Sequence, residues 1–280
     1  RLMSKELAEA AEDGAIASLI KSIEDEQAAV LSEVVGRTTV ALEGAREKVR
    51  AGETNLGNLI TDAILYVTGA DCALLNGGGI RASIDEGEIT KGEIISVLPF
   101  GNLIVTKKVT GADIKAALEH GTKTYPEPLG GFPHVAGIKY VIDLGRSTGE
   151  RVVNITVNGE PLDLSKEYVL ATNDFIAAGG DEYTMFPGKP TVGEYGSLDE
   201  ALTAYIQAKG IVSPEVEGRI TVQKSQPQPI THYYIVQPGD WLGRIARLYG
   251  TTWEKLQELN RLPNPNLIYP GQKLILPDAA

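Results

Sequence analysis

Cysteine and histidine are scarce in this chain. One cysteine, Cys72, and three histidines, His120, His134 and His232, are spread over 280 residues. A single cysteine excludes a disulfide framework and any cysteine-based zinc site, and three scattered histidines are few for a metalloenzyme. Positive charge is also short: 26 Lys+Arg stand against 37 Asp+Glu, a formal net charge of −11. That balance argues against a nucleic-acid polymer as partner, because a phosphate backbone requires a basic face. No window approaches the roughly 18 apolar residues needed to span a bilayer, and no signal peptide opens the chain. Core material is not lacking. With 42% hydrophobic and 22% charged residues, global disorder is excluded. At roughly 100–200 residues per domain, the length suggests two domains, or one large and one small.

The apolar spacing predicts an amphipathic helix over 15–33, with Ile16, Leu19, Ile20, Ile23, Val30, Leu31 and Val34 on its stripe. The Ala/Glu-rich stretch before it starts in mid-pattern, as in a piece of a longer protein. A second helix follows Thr54 and ends at Gly69. Residues 72–75 form a short apolar strand, 103–109 a β-branched strand, and 110–119 a helix. Antiparallel strands are expected over 138–142 and 152–157, with another strand over 168–172. Ser197 and Glu200 have the spacing of a capping box, and a strand over 219–222 closes the first domain. Residues 224–229, Lys-Ser-Gln-Pro-Gln-Pro, have linker composition. The module of about 45 residues beyond them reads strand, helix, helix, strand.

Gly77-Gly78-Gly79-Ile80-Arg81-Ala82 formally matches a dinucleotide fingerprint. That fingerprint needs a helix to start at the glycines, and residues 83–88 have no helical stripe, so the Rossmann reading is rejected. Two readings of the loop remain level: an anion nest beside the Arg81 guanidinium, or a glycine-rich turn with its arginine in solvent.

Four ordered blocks carry a resemblance. They are Glu53-Thr54-Asn55-Leu56-Gly57-Asn58-Leu59, Asn76 to Arg81, Pro99-Phe100-Gly101-Asn102, and Phe175 through Gly179-Gly180-Asp181. Together, over residues 33–223, they resemble the C-terminal, substrate-binding domain of the 5′-nucleotidase / UDP-sugar hydrolase / 2′,3′-cyclic-nucleotide phosphodiesterase family. The resemblance implies an α+β (mixed α/β) domain of mixed sheets with packed helices. Residues 1–32 are similar to the linker helix that joins this domain to a catalytic one. The family's substrate residues match here at Arg46, Arg50, Asn76, Gly78, Gly79, Arg81, Phe100, Asn102, Phe175 and Asp181. The two phenylalanines would sandwich a base, and Asp181 would accept the ribose hydroxyls. Asn102 would lie near the base edge, and the three arginines would reach the phosphate or the polar end of the substrate. Aromatic rings suit bases, and guanidinium suits phosphate. The plainer readings are core phenylalanines, a turn-forming Asp181 and solvated arginines.

In that family two divalent metal ions act from an N-terminal domain with Asp-x-His, Gly-Asp-x-x-Asp and Gly-Asn-His-Asp/Glu motifs. None of these motifs occurs in this sequence. His120 reads as following a helix end, His134 as lying in a Gly/Pro loop and His232 as linker. The expectation is a chain without catalytic residues, metal ligands or cofactor of its own, which binds nucleotide and does not hydrolyse it alone.

Beyond a linker over 224–232, residues 233–280 resemble a LysM domain, through Tyr234 to Leu242, Tyr249-Gly250, Asn260 and Ile268 to Pro277. LysM domains are βααβ modules that bind N-acetylglucosamine polymers, peptidoglycan or chitin. By position the groove residues are Gly239, Asp240, Trp241 and Leu242 facing Pro265, Asn266, Leu267 and Ile268. Trp241, where threonine is usual, either stacks on a sugar ring or caps the small core. The combination implies part of an extracellular, cell-wall-associated hydrolase. The alternatives are specificity for 2′,3′-cyclic nucleotides or UDP-sugars, or a non-catalytic surface binder that uses the nucleotidase-like domain as scaffold.

Overall fold

The computed structural model describes residues 14–225 and 232–276. The expected helix start before residue 14 and most of the linker over 224–232 lie outside the described residues. The chain divides into two compact units, Arg1–Lys224 and Ser225–Ala280.

The first unit opens with α1 (Gly14–Leu31), β1 (Val34–Thr38), a single turn α2 (Arg46–Val49) and α3 (Asn55–Thr68). Thr54 caps α3 by accepting the Gly57 N–H, and Gly69 ends it in the left-handed region, where only glycine sits without strain. Next come β2 (Cys72–Asn76), a 3-10 turn (Gly77–Gly79), β3 (Gly87–Thr90), α4 (Lys91–Val97), β4 (Leu103–Thr110) and α5 (Gly111–Gly121). Strands β5 (Pro133–Ala136), β6 (Ile138–Asp143), β7 (Val152–Val157), β8 (Glu160–Pro161) and β9 (Glu167–Asn173) follow, then the one-turn α6 (Asp174–Ala177). The unit closes with β10 (Thr191–Ser197), α7 (Leu198–Lys209), β11 (Ile211–Val212) and β12 (Ile220–Gln223). The Ser197/Glu200 capping box is formed at α7, and equivalent boxes at Thr90/Glu93 and Thr110/Asp113 start α4 and α5.

Three sheets result: β11-β1-β3, β10-β4-β9-β2-β5 and β12-β6-β7-β8. Strand β2 explains why the central sheet is covered on both faces. Its residues are all buried, and successive side chains point to opposite faces. Ala73 and Leu75 join the core under α3 and α7, while Cys72 and Leu74 join Phe132, Tyr183 and Phe186 on the other side. A continuous apolar run is what a strand buried on both faces requires.

The sheet register places four loops at one end. Strands β2 and β9 run parallel, with Cys72 opposite Leu170, so both end together at Asn76 and Asn173. Strand β4 runs antiparallel to β9 with Ile104 opposite Asn173. Strand β5 runs antiparallel to β2 with Pro133 opposite Asn76. The loops before β4 and β5 therefore meet the turns after β2 and β9.

Several expectations change. His134 is not in a loop: it lies in β5, opposite Leu75, with no exposure. His120 belongs to the last turn of α5, and His232 begins β13 of the second unit. The helix at the start is present, yet Ile16, Leu19, Ile20 and Val30 are about half exposed rather than buried. No helix among the described residues is long and apolar enough to cross a membrane.

The second unit is β13 (His232–Ile235), α8 (Leu242–Leu248), α9 (Trp253–Leu259) and β14 (Lys273–Leu276), with β13 antiparallel to β14. Val236, Leu242, Ile245, Ala246, Leu256, Leu274 and Leu276 make its core. Asn260 stitches the two halves, donating to the Leu256 and Ile275 carbonyls and accepting the Ile275 N–H at 2.6 Å.

Candidate functional site

A cleft of about 330 Å³ opens at the shared end of the central sheet, where α/β sheets commonly take ligands. Its walls are Arg50, Asn76, Gly78, Gly79, Phe100, Asn102, Gly130, Phe175 and Asp181. Arg46 and Arg81, also expected here, do not line it, and Gly130 was not anticipated from the sequence.

Of the chain's four phenylalanines, Phe132 and Phe186 are fully buried, whereas Phe100 is 59% and Phe175 45% exposed. Exposing two large rings on one cleft forfeits the free energy of burying them, so the cleft offers aromatic faces to something else. Phe175 stands on α6, which Asn173 caps by accepting the Ile176 N–H. Its ring rests on Gly180, where an added Cβ would come within 2.6 Å of the ring carbons. Asn102 donates to the Asp174 carboxylate at 2.8 Å, so it ties the loop of Phe100 to the turn of Phe175. Arg81 lies outside the cleft lining but against it, its guanidinium 5.7 Å from the Phe100 ring centre, within cation–π range.

The polar wall is Asp181, held in the left-handed region at φ 50°. Its backbone carbonyl bonds His120 Nε2 at 2.7 Å, and its Oδ2 accepts from Asn76 Nδ2 at 2.8 Å. Arg50 faces it. Burial lowers the Arg50 pKa, as do the neighbouring Arg46 and Arg81 charges, while Asp181 opposes them. A guanidinium stays charged at neutral pH regardless. Its Nε is buried without a hydrogen-bond partner among the described residues. The Arg46 and Arg81 charges weigh on Arg50 more than the Asp181 and Glu47 carboxylates do, which makes a local positive field on an acidic chain. Arg50 is positioned from both sides: its carbonyl accepts the Leu129 N–H, and the preceding Val49 carbonyl bonds His134 Nε2.

The glycine loop resolves against an open anion nest. Gly77 N–H donates to the Phe132 carbonyl and Gly78 N–H to the Gly130 carbonyl, each at 2.7 Å. Two of the three glycine amides are thus occupied by backbone. The loop serves to bring Asn76, Gly79 and Gly130 close together.

In the second unit a cleft of about 280 Å³ is lined by Trp241, Leu242, Gly243, Trp253, Pro265 and Asn266. Trp241 is 56% exposed and stands outside the small core, its indole laid over Gly243. Trp253 and Gly243 were not singled out from the sequence. Gly239, Asp240, Leu267 and Ile268 do not line this cleft. The Asp240 carboxylate instead turns inward, accepting from the Tyr234 hydroxyl at 2.6 Å and the Gln237 N–H at 2.8 Å. These bonds hold its pKa below the ordinary carboxylate value, the Tyr234 bond most strongly. Ile268 packs against the core.

Among the described residues no three His, Cys, Asp or Glu side chains come together as a metal site.

Comparison with known proteins agrees with this architecture. Residues 34–188, more than half of the chain, match the family model "5'-nucleotidase, C-terminal domain", and residues 234–277 match the LysM domain. The trifunctional nucleotide phosphoesterase protein YfkN of Bacillus subtilis is 45% identical over 202 residues, 68% of this chain and 14% of that protein. Protein UshA of Escherichia coli is 38% identical over 200 residues, 71% of this chain and 35% of that protein. The crystal structure of a 5'-nucleotidase precursor from Thermus thermophilus superposes with TM-score 0.69 at 40% identity, over 76% of this chain and 44% of that one. The chain thus spans less than half the length of each of these proteins. It belongs to the 5′-nucleotidase C-terminal domain family and carries a LysM domain after the family domain.

Proposed function

We propose that the first unit binds the nucleoside part of a nucleotide and orients its phosphate ester for hydrolysis by a preceding two-metal domain. We propose also that the LysM domain holds the protein on N-acetylglucosamine polymer in a bacterial cell wall, outside the cell. The carrying observation is the sheet-end cleft, with two exposed phenylalanine rings, one carboxylate and a guanidinium on its walls. A base between Phe100 and Phe175 gains about 1–3 kcal/mol per stacking contact. Asp181 accepts from ribose hydroxyls, and Arg50, with Arg46 and Arg81 behind it, draws the phosphate inward. Bound metal ions would supply the activated water and the charge clamp. This chain's residues supply binding and alignment only.

Calorimetry with adenosine, AMP and UMP on the chain tests the reading. Binding that weakens in the Phe100→Ala and Phe175→Ala variants supports it, and no heat even at millimolar ligand counts against it. Turnover of AMP by the purified chain with Mn²⁺, Co²⁺ or Zn²⁺ at enzymatic rates would refute the division of labour. Sedimentation with insoluble peptidoglycan and with chitin tests the LysM assignment and separates the two polymers.

A further inference from the structure

We infer that Asn173, which lies behind the cleft and does not line it, is a positioning residue that fixes the hydrogen-bond polarity of the nucleoside site. This rests on the nucleoside reading of the cleft and deepens it. Asn173 is 1% exposed and Asn76 4%. The Asn173 Oδ1 accepts the Ile176 N–H at 2.9 Å, which leaves only its Nδ2 to face Asn76. That Nδ2 donates to Asn76 Oδ1 at 3.0 Å, so Asn76 in turn must present Nδ2 to Asp181 Oδ2, at 2.8 Å. A backbone N–H cannot reverse its polarity. The direction of both amides is therefore set by the Ile176 amide, three hydrogen bonds from the carboxylate.

Two consequences reach the ligand. One Asp181 oxygen is engaged by Asn76, which orients the carboxylate and leaves Oδ1 for hydroxyl donors of the ligand. Asn76 has one further Nδ2 hydrogen, so what it offers the cleft is a donor, and the ligand edge beside it must carry an acceptor. The same Asn173 caps the turn bearing Phe175. A single buried amide thereby fixes the stacking wall and the polar wall in one register.

The test uses the full chain, ¹⁵N-labelled. Asn173→Ser keeps a good helix cap but cannot reach Asn76. Asn173→Asp keeps cap and volume but cannot donate. In the wild type, side-chain amide exchange at Asn76 and Asn173 should be at least about tenfold slower than at Asn266, whose residue is exposed. In either variant that folds, Asn76 exchange should accelerate about tenfold, and adenosine affinity should fall about tenfold, the loss of one charge-assisted bond. The preference for adenosine over 2′,3′-dideoxyadenosine should shrink, and Asn173→Ser should melt near wild type. Equal exchange at Asn76 and Asn266 in the wild type overturns the proposal. So does a folded variant with unaltered Asn76 exchange and unaltered diol preference, which would reduce Asn173 to a cap. If the wild type binds neither nucleoside, or binds both equally, the nucleoside reading fails instead, and the exchange rates still decide the relay.

Discussion

The two clefts of this chain use one device in opposite settings. In each, an exposed aromatic ring lies on a glycine: Phe175 on Gly180, and Trp241 on Gly243. The sheet-end cleft joins residues far apart in sequence, Asn76 with Asp181 and Asn102 with Asp174, over a core covered on both faces. The LysM cleft is assembled from two helix starts and one loop above a handful of core residues. Distant assembly needs a buried polar framework to fix its parts, and that framework carries titratable groups. Local assembly needs little beyond helix geometry. The two units should therefore respond differently to acid, to loss of a ring and to loss of a glycine.

Acid gives the largest contrast. His134 is fully buried in β5, and burial depresses its pKa from the ordinary 6.5 to about 4, against the opposing Val49 carbonyl bond. Unfolded, this histidine takes up a proton below pH 6.5, whereas folded it resists until about pH 4. The folded state binds fewer protons in that window, so stability is lost as pH falls from 6.5 to about 4, by about 3 kcal/mol in all. In the second unit, Asp240 keeps its contribution through the same window. Its pKa lies below the ordinary 3.8, so the loss comes only under more acid conditions. Both tryptophans, Trp241 and Trp253, belong to the second unit, so tryptophan fluorescence follows that unit alone. Hydrogen exchange in β2 and β5 should report weakening over pH 6.5 to 4 while the fluorescence transition stays put. His134→Gln should flatten the first curve. Parallel curves for both units in the wild type would break the comparison.

Ring deletion comes next. Phe100→Ala or Phe175→Ala should each cost about 1–3 kcal/mol of nucleoside affinity, read by calorimetry, with little change in melting because both rings are half exposed. Trp241→Ala and Trp253→Ala should each weaken sedimentation with N-acetylglucosamine polymer by about tenfold, one stacking contact's worth. Neither pair should affect the other ligand.

These residues also mark how far the sequence could be read. Phe100 and Phe175 were legible through the family motifs that hold them, since composition alone favours core phenylalanines, and the capping box at Ser197 was plain from spacing. The boxes at Thr90 and Thr110 have the same spacing, but each follows directly on a strand, so the cap residue is also the strand's last residue. His134 was misplaced because the Gly-Gly-Phe-Pro before it reads as loop. Only the pairing of β5 with β2 makes the next residues a strand. Gly130 had no local signal, and Asn173 none beyond that of a helix cap. Their roles exist through sheet register, which joins Asn173 to a residue 97 positions away. Trp253 opens α9, and its place in the cleft depends on where that helix packs.

Glycine replacement has the smallest expected effect and separates binding from stability. A Cβ on Gly243 would lie 2.4 Å from Cζ3 of the Trp241 indole, and one on Gly180 2.6 Å from the Phe175 ring. Something must move in both cases. At Gly243 the obstacle is the far end of a side chain that is 56% exposed, free to swing into solvent at little cost. Alanine is also the better helix residue, by up to about 1 kcal/mol, and Gly243 lies within α8. Gly243→Ala should therefore leave the second unit as stable or slightly more stable while glycan retention falls. At Gly180 no helix gain offsets the clash, because the residue sits in a 3-10 turn next to strained Asp181. Phe175 is also anchored by its capped turn. Gly180→Ala should lower both melting temperature and nucleoside affinity. Thermal melts monitored by fluorescence and by calorimetry distinguish the outcomes. A Gly243→Ala chain that loses stability and retains glycan would mean that the indole is a structural lid on the small core and not a platform for sugar.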